Sequence, residues 1–460
     1  MTDRARALLA ALAPGYEELP APAGTASGDG PLRWPGYGDS RERAAERTGE
    51  SESMVCAVGR VKGRGTPAGP AGADAHSGTE AVLIASEFGF LGGSLGEATG
   101  DRIVAAHAWA RSHRLPVVSL VATGGSRMQE GMRALTQLQR VARETALTRR
   151  AGLPQVAVLR DPSTGGGWAT LGAGADVVLA VSGAQIGFAG SRVRPAGADP
   201  HAYTAEGQYE NGHVDRVVSA AALPDVLARW LTLLSAPGAP DRPEPPRALT
   251  RGPAPADGTE AVRRARAPER PRAKAYLDAY FDWREEMRGD RAGGVDAGML
   301  CGLGRRAGRT VAYAAQCGTA NSPAGFRTAA RLIRTADRLG VPVLTLIDTP
   351  GAANDAAAEA AGAGPAIAEV FAAVAEATVP VTSLLIGEGG SGGALALSAP
   401  GHLWVTPDSY FSVIAPELAA AILKRPPAAL AATTDALRPR PQDAVELGVA
   451  RGFAPGPDDR

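Results

Sequence analysis

The sequence predicts an α/β protein made of two tandem units that arose by duplication. When the second half is shifted by 226 residues, about 75 residues align without a gap, so that Val117 meets Val343 and Gly167 meets Gly393. Each half also repeats one order of patterns: helix, buried strand, helix, buried strand. Apolar runs this continuous are typical of parallel sheets that helices cover on both faces.

The first element of each repeat is a helix with apolar residues three and four positions apart. These residues include Ile103, Ala106 and Ala110 in the first half, and Phe326 and Ala329 in the second. A proline then precedes a predicted strand, PVVSLVATGG or PVLTLIDTPG. A second helix leads to another predicted strand, LPQVAVLRDPSTGGG or VPVTSLLIGEGGSGG. Both strands of each half end in turns of small residues.

Composition divides the chain into four segments. Residues 1–33 are predicted to be an N-terminal segment that is partly flexible, and residues 34–235 form the first unit. Residues 236–258 are so rich in proline that they are predicted to be a linker, since proline at that density does not favour a packed element. Residues 259–460 form the second unit.

The overall composition excludes several function classes. The 460 residues carry 48 basic and 48 acidic side chains, for a formal net charge of +0, which argues against binding nucleic acid or an anionic membrane. The three cysteines form no CxxC pair, so neither a disulfide framework nor a zinc ribbon is predicted. The first residues lack the apolar core of a signal peptide, and no apolar run reaches membrane-spanning length. We expect a soluble cytoplasmic protein.

Glycine turns at the strand ends are the main candidates for chemistry. The turns are Gly124 and Gly125 with Gly166 and Gly167, and Pro350 and Gly351 with Gly392 and Gly393. Without side chains, the backbone N–H groups of two neighbouring turns can converge on one oxygen, and a helix starting at the second turn adds its dipole. Such an oxyanion hole stabilises an enolate. The alternative is that these glycines only permit tight turns and close packing.

Two other glycine motifs fit less well. Gly387, Gly389 and Gly392 match the GxGxxG dinucleotide fingerprint, but Pro400 ends the following helix early. The matching turn of the first half lacks the spacing. A phosphate-binding loop needs lysine and then serine or threonine, where this chain has Gly393 and Ala394.

Longer motifs resemble a known enzyme family. FLGGSLGEATGDRI, ATGGSRMQEGM, DPSTGGG and AQIGFAGSRV resemble the β subunit of bacterial acetyl-CoA carboxylase carboxyltransferase. RAPERPRAKAYLDAYF, GDRAGG, LIDTPGA, IGEGGSGGALAL and SYFSVIAPE resemble the α subunit, and together the motifs cover about residues 34–455. The resemblance implies two tandem crotonase-like (ClpP/crotonase) domains, and transfer of a carboxyl group from carboxybiotin to the α-carbon of an acyl-CoA.

The resemblance also implies a role for each turn. The first unit would be the acyl-CoA side, where the thioester oxygen is held as the enolate forms, by Gly124, Gly125, Gly166 and Gly167. The second would be the biotin side, where the ureido oxygen is held by Gly351, Gly392 and Gly393, with Pro350 and Ala394 beside them. Both roles are catalytic and need neither a side-chain nucleophile nor a metal.

Four further residues are candidates for substrate binding: Arg127, Phe188, Gly190 and Arg192. Arg127 would either contact the ligand or brace its own loop. Phe188 and Gly190 would shape the acyl pocket or a domain interface. Arg192 would meet CoA phosphates unless it is only an exposed arginine. Asp348 would fix its turn by side-chain hydrogen bonds.

The family pattern implies partners. Biotin would arrive on a separate carrier protein, because the chain contains neither an MKM attachment site nor an ATP-grasp biotin carboxylase. We therefore expect a biotin carboxyl carrier protein and a biotin carboxylase as partners, with no metal. In the family, a first-half domain and a second-half domain of different protomers form the active site, so we expect a homodimer or higher oligomer.

The sequence departs from the family pattern in four places. The four-cysteine ribbon of the β subunit is missing, the region after AAQCGT is shortened, and no basic residue occurs from Ala352 to Ile367. The PEG motif of the family also becomes Pro416, Glu417 and Leu418. Three hypotheses follow: a fused carboxyltransferase that makes malonyl-CoA or a close homologue, a malonyl-thioester decarboxylase of the same fold, and a non-catalytic scaffold. The acyl chain length and the pathway stay open, and fatty acid biosynthesis is the expected setting.

Overall fold

The computed structural model describes residues 4–22, 28–63, 78–236 and 241–457. The chain divides into two compact units, Met1–Ser235 and Ala236–Arg460. Within the described residues each unit contains one eight-stranded sheet flanked by helices. The predicted α/β class and the two tandem domains are confirmed.

The strands of the first unit are β1 Glu17–Glu18, β2 Met54–Val61, β3 Thr79–Ser86, β4 Val117–Thr123, β5 Gln155–Thr164, β6 Val177–Val181, β7 Ile186–Gly187 and β8 Arg216–Val218. Their order in the sheet is β1-β2-β3-β4-β5-β6-β8, and β7 pairs with β5. The strands from β3 to β8 pair in parallel, as the continuous apolar runs predict.

The helices of the first unit are α1 Ala5–Leu12, α2 Tyr37–Thr48, α3 Glu97–His113, α4 Gly131–Arg150, α5 Gly165–Gly167, α6 Ala205–Glu210 and α7 Leu223–Leu234. Ile103 of α3 and Val141 of α4 belong to the same buried cluster as the strand residues Val121 and Leu159. Leu9 of α1 is also fully buried, so this part of the N-terminal segment is packed into the unit.

Buried His107 of α3 gives the first unit a pH-dependent stability. Its Nδ1 lies 3.0 Å from the Thr148 hydroxyl, and burial, helped by the charge of Arg111, lowers the pKa of His107 from 6.5 to about 4. Below pH 6.5 His107 is therefore protonated in the unfolded chain but stays neutral in the folded unit until about pH 4. The free energy of unfolding consequently falls as the pH drops below 6.5. Between pH 7 and pH 5 we expect a loss of about 2 kcal/mol in the free energy of unfolding.

Urea denaturation at the two pH values measures this loss. The His107→Gln variant, which cannot titrate in this range, should lose about 2 kcal/mol less than the unsubstituted chain over the same interval. Equal losses in the two proteins would show that His107 is not responsible.

The strands of the second unit are β9 Trp283–Met287, β10 Met299–Arg306, β11 Arg309–Gln316, β12 Val343–Thr349, β13 Val381–Gly390, β14 Leu403–Val405, β15 Tyr410–Ser412 and β16 Gly452–Phe453. Their order is β16-β14-β13-β12-β11-β10-β9, and β15 pairs with β13. The helices are α8 Gly258–Arg266, α9 Ala273–Tyr280, α10 Pro323–Leu339, α11 Ala356–Ala360, α12 Ala363–Glu376, α13 Ser391–Leu395, α14 Pro416–Ile422, α15 Leu430–Ala436 and α16 Pro441–Glu446.

The duplication is visible in the element bounds. β4 and β12, and likewise β5 and β13, begin and end at residues that differ by the same 226 positions. The helix between them differs, because the single helix α4 is replaced by α11 and α12, with Gly362 at φ 81° between them. The strands that carry the glycine turns are therefore equivalent, whereas the helix beside them is not.

The described part of the proline-rich segment, residues 241–258, packs against the second unit. The Thr382 hydroxyl donates to the Pro243 carbonyl at 2.7 Å, and the Ala248 N–H donates to the Pro455 carbonyl at 2.8 Å. Prolines lack an N–H but keep a carbonyl acceptor, so an extended proline-rich chain can still be held at a surface. These residues belong to the packed surface of the second unit rather than to a free connector.

No described helix combines the length and apolar character needed to cross a membrane.

Candidate active site

The two turns of the first unit meet at the carboxyl end of its sheet. β4 and β5 pair in parallel from Val117↔Gln155 to Thr123↔Ser163, which places the turns that follow them side by side. A Cβ atom added to Gly125 would lie 3.7 Å from the Gly165 Cα and 3.9 Å from the Gly166 nitrogen. The structure thus brings the predicted glycines Gly125 and Gly166 together.

Each second turn has a left-handed residue at the first position of its helix. Gly165 has φ 61° in the first unit, and the equivalent residue of the second unit, Ser391, has φ 56°. This conformation costs a residue with a side chain roughly 1 kcal/mol. It turns the chain sharply, so that the next amides begin a helix.

Not all of the predicted amides are available. The Gly124 N–H donates to the Gly92 carbonyl at 2.9 Å, and the equivalent residue, Pro350, has no N–H at all. The Gly125 N–H donates to the Thr123 hydroxyl at 3.0 Å. Gly124 and Gly125, which we predicted as donors of the hole, therefore shape the turn, and their amides are already bonded within the protein.

The sequence reasoning missed Ser126, whose N–H is free of the bridge that its neighbours form. Ser126 forms an isolated parallel bridge with Leu95, in which the Leu95 N–H donates to the Gly125 carbonyl and the Arg127 N–H donates to the Leu95 carbonyl, both at 2.9 Å. In extended chain, neighbouring peptide groups point in opposite directions, so the Ser126 N–H faces away from Leu95. No acceptor for it lies within the described part of the chain.

The second unit repeats this bridge with Ala352. The Asn321 N–H donates to the Gly351 carbonyl at 3.3 Å, and the Ala353 N–H donates to the Asn321 carbonyl at 2.8 Å. The Ala352 nitrogen lies 2.5 Å from the position of a Cβ on Gly393, so it faces the second turn. Among residues 241–457 the Ala352 N–H meets no acceptor. As in the first unit, the preceding amide is occupied: the Gly351 N–H donates to the Thr349 hydroxyl at 3.1 Å, so Gly351, which we predicted as a donor, shapes the turn instead.

The second turns offer amides from the first turns of α5 and α13. The N–H groups of Gly166, Gly167, Gly392 and Gly393 lie where a helix has no acceptors of its own. Among the described residues, none of these four N–H groups has a hydrogen-bond acceptor. Because α13 has only five residues, the predicted contribution of a helix dipole is small, and the donors are the individual amides.

The two holes differ in their surroundings. In the first unit, a Cβ on Gly166 would lie 2.3 Å from Leu138 Cδ2, and a Cβ on Gly167 would lie 3.4 Å from Leu95 Cδ1. In the second unit, nothing lies within 4 Å of a Cβ on Gly392. The first hole is lined by hydrocarbon, whereas the second is open beside Gly392.

Two buried carboxamides lie behind the second hole. Gln316 Nε2 donates to the Gly393 carbonyl at 2.9 Å, and Asn321 Nδ2 donates to the Gly298 carbonyl at 2.9 Å. Gln316 Oε1 and Asn321 Oδ1 are buried and have no donor among the described residues. The equivalent positions of the first unit are Phe90 and Leu95. At these two positions the second unit therefore has carboxamides where the first unit has apolar side chains.

Arg127 is a structural residue of the first hole. Its side chain is 0% exposed and forms ion pairs with Glu52 and, at 3.3 Å, with Glu130. Burial alone would raise the pKa of Glu52, but the hydrogen bonds and charge of Arg127 outweigh it and lower that pKa. Of the two roles predicted for Arg127, ligand contact and bracing, the structure favours bracing, because a guanidinium enclosed in this way cannot reach a ligand. It braces the loop that presents Ser126.

The other candidate substrate-binding residues lie on the rim of the first hole. β7 pairs with the last residues of β5, so the segment after β7 leaves the same edge of the sheet. The Gly165 N–H donates to the Phe188 carbonyl at 3.1 Å, whereas the Phe188 ring is 74% exposed. Gly190 lies beside the Thr164 hydroxyl, and Arg192 is exposed. Their predicted contacts with an acyl-CoA stay predictions.

Asp348 fixes the second hole through a buried ion pair. Both of its carboxylate oxygens accept from Arg270 Nη2 at 2.8 Å, and one also accepts the Glu388 N–H at 3.1 Å. Asp348 therefore joins the ends of β12 and β13, as its predicted turn-fixing role requires. Arg270 belongs to the PERPR motif that the resemblance quoted, but its partner could not be identified from the sequence.

No described group of three or more histidine, cysteine, aspartate or glutamate side chains is arranged to hold a metal ion.

Family models match both units. A carboxyl transferase domain model matches residues 44–214, and an acetyl co-enzyme A carboxylase carboxyltransferase-like model matches residues 256–457. The acetyl-coenzyme A carboxylase carboxyl transferase subunits beta/alpha of Salinispora tropica are 38% identical over 90% of this chain and 75% of that protein. A probable biotin-dependent acyl-coenzyme A carboxylase beta3 subunit of Mycobacterium bovis is 33% identical over 90% of this chain and 83% of that protein.

A solved structure has the same fold. Transcarboxylase 12S, described as a hexamer assembly with methylmalonyl-coenzyme A bound, superposes with a TM-score of 0.74. The match covers 98% of this chain and 86% of that one, at 21% sequence identity.

Proposed function

Since the chain belongs to the carboxyltransferases of the biotin-dependent acyl-CoA carboxylase family, we propose that it carboxylates acetyl-CoA, or a similarly short acyl-CoA, to malonyl-CoA or its homologue. The observation that supports the proposal is the repeated pair of available amides: Ser126 with Gly166 in the first unit, and Ala352 with Gly392 in the second. Acyl-CoA carboxylation needs two such sites, because negative charge develops on two carbonyl oxygens.

The first hole suits the acyl-CoA. The N–H groups of Ser126 and Gly166 donate to the thioester oxygen as the α-carbon loses its proton and the enolate forms. Removing one such donor typically costs roughly 3–4 kcal/mol of transition-state stabilisation. The hydrocarbon of Leu138 and Leu95 keeps water from the reacting carbon, where water would weaken these hydrogen bonds.

The second hole suits the ureido ring of biotin. The N–H groups of Ala352 and Gly392 would donate to the ureido carbonyl oxygen, and the open space beside Gly392 would admit the planar ring. When bound, carboxybiotin supplies the carboxyl group and, once it has lost it, a ring nitrogen that accepts the α-proton. Gly393 and Ala394 are buried behind these donors and hold their position.

The proposal includes partners, an assembly and a location. A separate biotin carboxylase and a biotin carrier protein supply the carboxyl group, as the names of the relatives suggest. Exposed apolar side chains on each unit, such as Met132 at 81% and Ile422 at 69%, favour a homo-oligomer that covers them. We propose that the unit Met1–Ser235 is the acyl-CoA side and the unit Ala236–Arg460 the biotin side. We also propose cytoplasmic fatty acid biosynthesis as the setting.

The second candidate function is a malonyl-thioester decarboxylase, because the same enolate hole serves the reverse direction. The absence of basic residues from Ala352 to Ile367 keeps this candidate open.

Product formation distinguishes these functions. With biotin carboxylase, biotinylated carrier, ATP, bicarbonate and acetyl-CoA, we expect malonyl-CoA to form only when the chain is present. With malonyl-CoA alone, CO₂ release should be at least roughly 100-fold slower than malonyl-CoA formation in the complete mixture, because the second hole is then empty. Rapid CO₂ release without carrier would favour the decarboxylase. Full carboxylation activity of the Gly166→Val chain with biotin carboxylase and carrier would favour the hypothesis of a non-catalytic scaffold.

A further inference from the structure

Leu138 of α4 closes the space beside the first hole. Its atoms Cδ2, Cδ1 and Cγ lie 2.3, 2.5 and 3.0 Å from the position of a Cβ on Gly166. Its isopropyl group therefore occupies the place where a side chain of Gly166 would begin. Leu138 is partly buried and packs against the core of the first unit, which holds it there.

Among residues 241–457, no side chain takes the place beside Gly392 that Leu138 takes beside Gly166. At the shift of 226 residues Leu138 aligns with Gly364 in α12, and no atom outside the local backbone lies within 4 Å of a Cβ on Gly364 or on Gly392. β4, β5 and the turns that follow them align with β12, β13 and their turns at the constant shift of 226 residues. The contrast therefore identifies Leu138 as the group that fills the space beside the glycine turn of one unit only.

We propose that Leu138 limits the length of the acyl chain that the first hole accepts, an inference that rests on the proposed function. The thioester oxygen is held by the amides of Ser126 and Gly166, so the α-carbon lies next to that hole. Additional methylene groups extend away from the α-carbon and meet the isopropyl group beside Gly166. A pocket wall of this kind typically discriminates 10- to 200-fold per methylene group.

The test is the ratio of kcat/KM for butyryl-CoA to that for acetyl-CoA, measured with biotin carboxylase and biotinylated carrier. Leu138→Ala should raise this ratio at least about tenfold, and Leu138→Val should raise it by less. Leu135→Ala is the control, because Leu135 lies on the same helix, is 57% exposed and is not among the atoms nearest to Gly166. Its ratio should equal that of the unsubstituted chain.

The outcomes separate this inference from the proposed function. If the unsubstituted chain carboxylates acetyl-CoA but both Leu138 variants keep its ratio, the inference is wrong and the proposed function stands. If the unsubstituted chain carboxylates no acyl-CoA, the proposed function is wrong and the inference fails with it. The Val variant retains most of the packing of leucine, so it reports on the ratio even if the Ala variant does not fold.

Discussion

Replacing Gly392 by proline should lower kcat for carboxyl transfer by about 100- to 1000-fold, because it removes one backbone donor of the second hole. Proline is tolerated in the first turn of a helix, where Gly392 lies, since its missing N–H has no helical partner there. Nothing lies within 4 Å of a Cβ at this position, so the added ring meets no neighbour at its first atom.

Gly392→Ala is the matched control. It adds a Cβ to the same open space, as proline does, but keeps the N–H, so the difference in kcat between the two variants measures the donor itself. Proline also restricts Ser391, which has φ 56°, so the free energy of unfolding of both variants should be measured by urea denaturation. Equal kcat values for two folded variants would show that the Gly392 amide does not act in catalysis.

Arg127→Leu should destabilise the first unit by about 3–5 kcal/mol, the usual cost of removing one partner of a buried ion pair. The carboxylates of Glu52 and Glu130 would remain buried without their cation. The Arg127→Leu/Glu52→Gln double variant should recover part of this loss, because it removes one of the two uncompensated charges.

Arg192→Leu provides the comparison, since Arg192 is exposed on the rim of the same hole. Its stability should change by less than about 0.5 kcal/mol. If Arg192 meets the CoA phosphates, KM for acyl-CoA should rise while kcat is retained. Urea denaturation and steady-state kinetics measure both effects. An Arg127→Leu chain of unchanged stability with a raised KM would contradict its structural role.

Much of the fold was predictable because both halves repeat the same local patterns of apolar residues and turns. PVVSLVATGG and PVLTLIDTPG read as strands, and β4 and β12 indeed end just before the predicted turns. The family resemblance and the two tandem crotonase-like domains are confirmed. The proline-rich segment was less predictable, because the Thr382 hydroxyl that holds Pro243 lies far along the chain.

The sequence predicts where the turns lie, but not which of their N–H groups are already hydrogen-bonded within the protein. Gly124 is occupied because the Gly92 carbonyl reaches it, and Ser126 is available because Leu95 pairs with its neighbours. Both partners come from a loop some 30 residues earlier, and no local pattern records the contact. Likewise, the bracing role of Arg127 depends on its ion pair with Glu52, which lies far from it in the sequence.

The central claim is that backbone amides of duplicated turns hold the negative charge, and a crystal structure of the chain with a bound acyl-CoA tests it most directly. We predict the thioester oxygen within about 3.1 Å of the backbone nitrogens of both Ser126 and Gly166. A thioester bound elsewhere, or these two amides donating to protein carbonyls in the complex, would contradict the claim.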